Sequence, residues 1–242
     1  MKKKQRSIIW LLMFLVSTGA LLSQSQIPHL FVKFSGTASP SSAGDFGDFV
    51  DKNDPAATAR SFFQGFGGEI GLETKKHAVG ISAGYIERYL DIDSRHTFSA
   101  VPIFLFIRYK LVNGSFFKAS LTVGEGVYLA RYQEKTGETV LLNSKKNSLG
   151  FHGGVSVDLH IFKFLAVSVD AGYRLVSFKE MVGKDYRNPE APFEGNLYYQ
   201  ANEATGEYGF FIKQAKTGVP GSRPAVFNLN GFILSAGMKI IL

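Results

Sequence analysis

The chain has 242 residues, enough for one large domain or two small ones, and 45% of them are apolar, which is too dilute for a bundle of membrane helices built from long unbroken apolar runs. Cysteine is absent, so there is neither a disulfide staple nor a lipid anchor on an N-terminal cysteine. The net charge of +7 includes Lys2, Lys3, Lys4 and Arg6 near the start, and what remains is too weak an excess to argue for nucleic acid as a partner.

Those first residues, MKKKQR, form a basic n-region. The apolar run IIWLLMFLV follows, then small residues Ser17, Thr18, Gly19 and Ala20, then polar Ser23 to Gln26. This is the layout of a secretory signal peptide occupying 1–25, with cleavage near 20–25, and it leaves 26–242 as a single domain. The rival reading, an uncleaved anchor over 8–22, is short against the roughly 20 residues a spanning helix needs.

From there the chain alternates. A strand over 29–37 sets Leu30, Val32 and Phe34 opposite Lys33 and Ser35. A polar segment, 38–60, rich in Ser, Gly, Pro and Asp, separates it from a second strand over 61–74. That strand has Phe62, Phe66, Ile70 and Leu72 on one face and Gly65, Gly67, Glu69, Gly71 and Glu73 on the other. Strand three, 78–90, opposes Val79, Ile81, Ala83, Tyr85 and Tyr89 to Gly80, Ser82, Gly84 and Arg88. Strand four, 97–110, carries Val101, Ile103, Leu105, Ile107 and Tyr109 on its apolar face. Asn113-Gly114 then marks a tight hairpin turn. Strand five spans 116–132 and a polar loop is expected over 133–147. The stretch LGFHGGVSVDLHIFKFLAVSVDAGYRLVSF supplies strands six and seven as one hairpin: Leu149, Phe151, Val155, Val157 and Leu159 oppose His152, Gly154, Ser156, Asp158 and His160. The longest connection, 181–225, leads to strand eight over 227–242.

Each of these strands can cross a bilayer, which takes about 9–11 tilted residues. The count is eight, and the connections alternate long and short, the signature of a membrane barrel with short periplasmic turns and longer extracellular loops. Segments 38–60, 91–96, 133–147 and 181–225 are thereby placed outside the cell. A soluble eight-stranded barrel also alternates, with its apolar face inward. The glycines separate the two: they lie on the polar face, where a narrow filled lumen needs small residues and a solvent-exposed surface gains nothing from them. Gln64, Glu87 and Glu125 interrupt the apolar face, and all three are expected near its extracellular edge; a bulge between Gly124 and Gly126 is the competing account of Glu125. Tyr85, Tyr89, Tyr109 and Tyr173 are candidates for the aromatic girdles.

On VPIFLFIRYKLVNGSFFKASLTVGEGVYLARY, on the strand six–seven hairpin and on the closing FILSAGMKIIL, the chain resembles the small eight-stranded OmpA/OmpX-like barrels of the bacterial outer-membrane β-barrel family. The fold this implies is all-β, an eight-stranded antiparallel up-and-down transmembrane barrel. The implied location is the bacterial outer membrane, after export by the signal peptide. The implied partners are outer-membrane lipid and lipopolysaccharide, the barrel-assembly machinery and an extracellular ligand of unknown kind. The terminal strand of that family usually ends in an aromatic residue; here Leu242 stands there.

Ionisable residues fall on the polar face: Lys33, Glu69, Glu73, Arg88, Arg108, Lys118, His152, Asp158, Asp170, Arg174 and Lys239. Charges in a narrow interior must be paired, so a hydrogen-bonded ionic plug is expected rather than a proton or ion path. Asp91, Asp93, Ser94, His96 and Ser99 hold the residue types of a nucleophilic site near the outer rim, but short polar loops contain them by chance. Asp45, Asp48, Asp51, Asn53 and Asp54 offer oxygen ligands without a Ca²⁺-loop spacing, and read as a solvated acidic loop. In the longest connection Tyr186, Phe193, Tyr198, Tyr199, Tyr208, Phe210 and Phe211 are recognition candidates; alternatively LYYQANEATGEYGFFIKQ extends the barrel as a hairpin, its aromatics packing on one another. The expectation is a non-enzymatic barrel, structural in the envelope or binding through 38–60 and 181–225, with no cofactor and no metal. A lipid A-modifying enzyme and passage of small apolar molecules are the alternatives.

Overall fold

In a computed structural model of the protein, the structure describes residues 27–40, 43–53, 62–91, 95–202, 207–213 and 222–242. The leader expected at 1–25 lies outside these residues, as do Asp54, Asp93 and Ser94. Eight long strands form a closed ring: β1 (His29–Pro40), β2 (Phe62–Glu73), β3 (His77–Asp91), β4 (Arg95–Asn113), β5 (Phe117–Thr136), β6 (Thr139–Phe162), β7 (Leu165–Leu175) and the last strand, β14 (Gly231–Ile241). Each pairs antiparallel with its sequence neighbour, and β14 closes the barrel between β7 and β1. A closed ring leaves no unpaired backbone within it, which is the condition for crossing hydrocarbon with strands.

The apolar side chains face out and stay uncovered. Phe34, Phe66 and Val123 are 62%, 68% and 63% exposed, and Leu30, Ile70, Ile81, Ile103, Leu121, Val155, Leu234 and Met238 join them in a belt around the barrel. A belt this size on a soluble molecule would aggregate, whereas in a bilayer it is the solvated surface. Tyr109, Phe116, Phe162 and Phe164 ring the end with the short turns, and Tyr85, Tyr89 and Tyr173 also face outward. Gly71 and Gly80 are direct cross-strand partners on the lumen side. A Cβ on Gly71 would lie 2.9 Å from the Phe31 ring and one on Gly80 2.8 Å from the Phe106 ring, so the two glycines make room for the rings that fill the inner mouth.

Three elements of the expected pattern come out differently, and a fourth takes one of its two stated readings. Residues 133–147 are not a loop: β5 and β6 pair from Phe117–Leu159 up to Thr136–Thr139, with one register shift at Glu134–Lys135 and a turn at Gly137, so the hairpin stands far out beyond the apolar belt. Its polar residues still alternate, and Tyr132, Glu134, Leu142 and Ser144 are buried on the inward side. The described part of 181–225 bears out the hairpin alternative: β10 (Phe193–Asn202) pairs with β11 (Glu207–Lys213), and with β9 (Val182–Asp185) and β12 (Ser222–Pro224) they extend the sheet from the outer part of β6. The segment 38–60 contains a helix, α1 (Asp45–Asn53). Strand eight is broken: Val226–Asn228 forms β13 against β8 (Ser177–Lys179), and the ring strand resumes only at Gly231.

The edge interruptions separate as well. Gln64 and Glu87 are direct cross-strand partners, and the Tyr85 hydroxyl donates to Glu87 at 2.7 Å. Glu125 is not at an edge on its own strand, because Val127 and Leu129, both exposed, continue the apolar face above it. The bulge account also fails: β5 keeps register with β4 and β6 through Glu125, opposite Leu105 and Phe151.

Candidate functional site: a sealed lumen beneath an aromatic cap

All eleven ionisable residues assigned to the lumen face inward, and they divide into tiers. Nearest the short turns, Glu73 gathers three ammonium groups, Lys239 at 2.6 Å, Lys110 at 3.5 Å and Lys118 at 3.6 Å. Lys239 also reaches Asp158 at 2.9 Å, and Asp158 takes the Ser168 hydroxyl. The Lys239 ammonium lies 4.6 Å over the face of Phe31. One tier up, Lys33 pairs with Asp170 and stands 3.8 Å from Glu69, which holds Arg108 at 3.0 Å. Arg108 also donates through Nε to the Thr122 hydroxyl at 3.0 Å, and Thr122 meets Ser156. Lys33 and Lys239 are direct cross-strand partners, so two like charges share one rung. They are tolerated because each turns to different carboxylates.

Above this tier is a cavity of about 80 Å³, lined among others by Glu69, Arg108, Tyr128, His152, Asp170 and Arg174, with room for several water molecules. His152 packs edge-on to Phe104, 5.5 Å between rings. Arg174 is buried with no carboxylate partner among the described residues. It donates instead to the Leu229 carbonyl at 2.8 Å and to Ser39 at 3.2 Å. The break in strand eight explains this: leaving the ladder at residues 229–230 frees the Leu229 carbonyl to accept. Arg88 stands apart from the network near the outer end, 4.0 Å from Asp51 of α1. Lys110, Ser168, Thr122 and Ser156 belong to the network without standing out in the sequence. Lys110 sits on the same alternation as Arg108, and that spacing is the one signal that points to it.

The outer mouth is closed by a different chemistry. Helix α1 starts from Gly44, whose φ of +61° suits glycine and whose Cβ, if present, would lie 2.4 Å from the Val226 carbonyl. Phe46, Phe49 and Val50 recur at helical spacing and are buried. Phe46 sits 6.1 to 6.2 Å from the rings of Phe98, Tyr132 and Phe227, and Phe49 packs on Phe210 at 5.3 Å. Phe63, Tyr128, Phe178, Leu197 and Tyr199 complete one apolar cluster across the mouth. The first helical turn is held down by Asp45, which accepts from Arg223 at 2.6 and 2.8 Å and from the Val226 amide at 2.7 Å. Burial raises the Asp45 carboxyl above its ordinary value, against the lowering pull of the Val226 amide and Arg223. The acidic segment is therefore a docked helix with an ion-paired start and not a solvated loop.

The seven aromatic candidates of the longest connection divide between two faces. Tyr199 and Phe210 are buried in the cap, and burial pushes the Tyr199 hydroxyl up to about 12. Tyr208 packs against the same cluster, with Lys52 5.6 Å from its ring. Tyr198 and Phe211 stack on the opposite side of the β10–β11 hairpin at 5.9 Å. Phe193 is exposed, and Tyr186 lies beside β6, donating its amide to the Leu141 carbonyl. Of the rim residues weighed for a nucleophilic site, His96 and Ser99 have described side chains, and the two are not brought together. His96 points inward, its Nδ1 2.8 Å from the Tyr132 hydroxyl and its ring 4.7 Å from Phe49, whereas Ser99 is on the outward face of the same strand. A serine and a histidine on opposite sides of a sheet cannot share a proton.

A ring of eight strands with an apolar exterior, a charged interior and short turns at one end defines a small transmembrane β-barrel, and the chain has the fold of bacterial outer-membrane β-barrels. A major outer-membrane protein from Thermus thermophilus has a similar structure, with a TM-score of 0.54 at 11% identity over 90% of this chain and 100% of that one. The outer-membrane protein OprG from Pseudomonas aeruginosa is similar over 90% of this chain and 97% of its own, with a TM-score of 0.50 at 11% identity. No protein-family model and no curated protein sequence matches the chain.

Proposed function

We propose that this protein is a non-conducting, non-enzymatic outer-membrane barrel that serves the envelope as a folded surface element, with its capped end outside the cell. The observation that carries this reading is the double closure of the lumen, by paired charges below and by the aromatic cluster and α1 above. Eight strands leave a lumen that side chains fill, and here both the polar and the apolar filling are interlocked. Among the described residues, what the outside then meets is the β5–β6 hairpin and the β9–β12 sheet that leans on it. Contacts through that surface would come from the outward side chains Phe193, Tyr198 and Phe211. Planar-bilayer recording of the purified barrel tests the closure: the expected trace is silent. Steady unitary conductance from a pure, correctly folded sample would show an open path and overturn this reading.

A further inference from the structure

On the outward wall of β4 to β6, directly above the apolar belt, basic residues face one another across the strands. Arg131 on β5 is opposite Lys145 on β6, and Lys135 on β5 is opposite Arg95 on β4. Like charges directly opposite on one face of a sheet are destabilising, and the Arg131–Lys145 pair is a cost that the fold alone does not explain. Arg131 and Lys145 are exposed, and neither they nor Lys135 have a carboxylate within ion-pair distance among the described residues. The Arg131 guanidinium is held in place by Nε donating to the Asn143 side chain at 2.9 Å. Ser99 is opposite Arg131 on its other side, and its hydroxyl is hydrogen-bonded to Tyr85. The nearest acid on this wall, Glu87, is opposite Ser99 and is engaged by the Tyr85 hydroxyl. Immediately below the rung lie Val101, Leu129 and Asn147, and one rung further down Val127 and Leu149, with Leu129, Val127 and Leu149 exposed. Higher on the wall, the Arg95 guanidinium lies 4.5 Å from the centre of the exposed Tyr89 ring.

We propose that Arg131, Lys145 and Lys135 bind the phosphate groups of a lipid headgroup in the surrounding outer leaflet. This rests on the membrane orientation proposed above. The arrangement has the polarity of an amphiphile: hydrocarbon contacts at Leu129 and Leu149, cations where the chains meet the headgroup. A phosphate between Arg131 and Lys145 turns their repulsion into two attractions, and the planar guanidinium suits phosphate oxygens. A basic side chain at an anionic membrane surface is worth about fivefold in affinity, so the loss of two should weaken binding on the order of twentyfold.

The test uses the full barrel in a neutral maltoside detergent, with intactness checked by its heat-dependent gel migration. Diphosphoryl lipid A, dephosphorylated lipid A and inorganic phosphate are each titrated against thermal unfolding. Diphosphoryl lipid A is expected to raise the midpoint, and the other two to leave it near its starting value. In R131Q/K145Q the midpoint without added lipid should be equal or higher, because the repulsion is gone, and the lipid concentration giving half the shift should rise on the order of twentyfold. R131K should keep most of the response. An equal response in R131Q/K145Q overturns the site. An equal response to inorganic phosphate or to dephosphorylated lipid A overturns the phosphate-lipid assignment. Conductance by an otherwise lipid-responsive barrel would count against the sealed-lumen reading alone.

Discussion

Replacing Glu73 by Gln keeps the shape of the side chain and removes the one charge on which three ammonium groups converge. Lys239 and Glu73 are almost wholly buried, with side chains 1% and 3% exposed, and Lys110 is 4% exposed. Removing one partner of a buried pair costs about 3–5 kcal/mol, because it strands the other charge. Two features shift the expectation to the lower end of that range. Lys239 keeps Asp158 at 2.9 Å, and Lys118, 16% exposed, can turn toward water. Lys110 has no second carboxylate among the described residues but does donate to the Thr74 carbonyl at 2.6 Å. The expected destabilisation is about 3 kcal/mol, read as a drop in unfolding free energy by urea titration of the barrel folded into lipid vesicles. In a double-mutant cycle, E73Q/K110M should recover part of that loss, since Lys110 is the ammonium left without a second carboxylate and its removal strands no acid among the described residues. A loss below about 1 kcal/mol, the scale of a solvent-screened surface pair, would refute the reasoning and mean that water reaches the lower lumen.

Two further outcomes follow from the same structure. Phe46→Ala removes a fully buried ring from the cap and should cost about 3–5 kcal/mol of local stability; hydrogen exchange should show α1 and β13 opening while the ring strands stay protected, and collapse of the whole barrel would contradict a cap with its own core. Glu125→Leu should stabilise the barrel in vesicles by about 1 kcal/mol, because a carboxylate between Leu105 and Phe151 faces acyl chains; a destabilisation in the urea midpoint would mean that Glu125 has a polar partner on the outer wall.

The alternation of side chains made most of the barrel legible. Apart from the outer extension of β5 and β6, it placed the ring strands to within a few residues. It also put each of the eleven ionisable residues on the lumen side, because strand geometry fixes side-chain direction locally. What the alternation does not carry is pairing between residues distant along the chain. Lys33 meets Asp170, Arg223 meets Asp45, and Ser39 bonds the Phe232 carbonyl, and no local pattern signals such contacts. Residues 133–147 look like a loop because polar side chains dominate once the strand leaves the membrane, yet the period of two persists through Tyr132, Glu134, Leu142 and Ser144. Helix α1 was hidden for another reason: nine residues rich in Asp with a single Gly carry low intrinsic helix preference, and the helix forms because Phe46, Phe49 and Val50 find a hydrophobic mouth to close. The break before Gly231 did leave a trace: Phe227 and Leu229 alternate with Asn228 and Asn230 in the opposite phase to Phe232, Leu234 and Met238, and across the break the apolar side turns from the cap to the bilayer.

The direction in which the apolar side chains point is open to a direct measurement. The chain has no cysteine, so single cysteines introduced one at a time from 149 to 159 can carry an environment-sensitive fluorophore in vesicles containing brominated lipid. Quenching by lipid should alternate with a period of two, strong at Phe151, Val155, Val157 and Leu159 and weak at His152, Gly154, Ser156 and Asp158. Uniform quenching, or alternation of the opposite phase, would contradict a barrel that wears its apolar face outside.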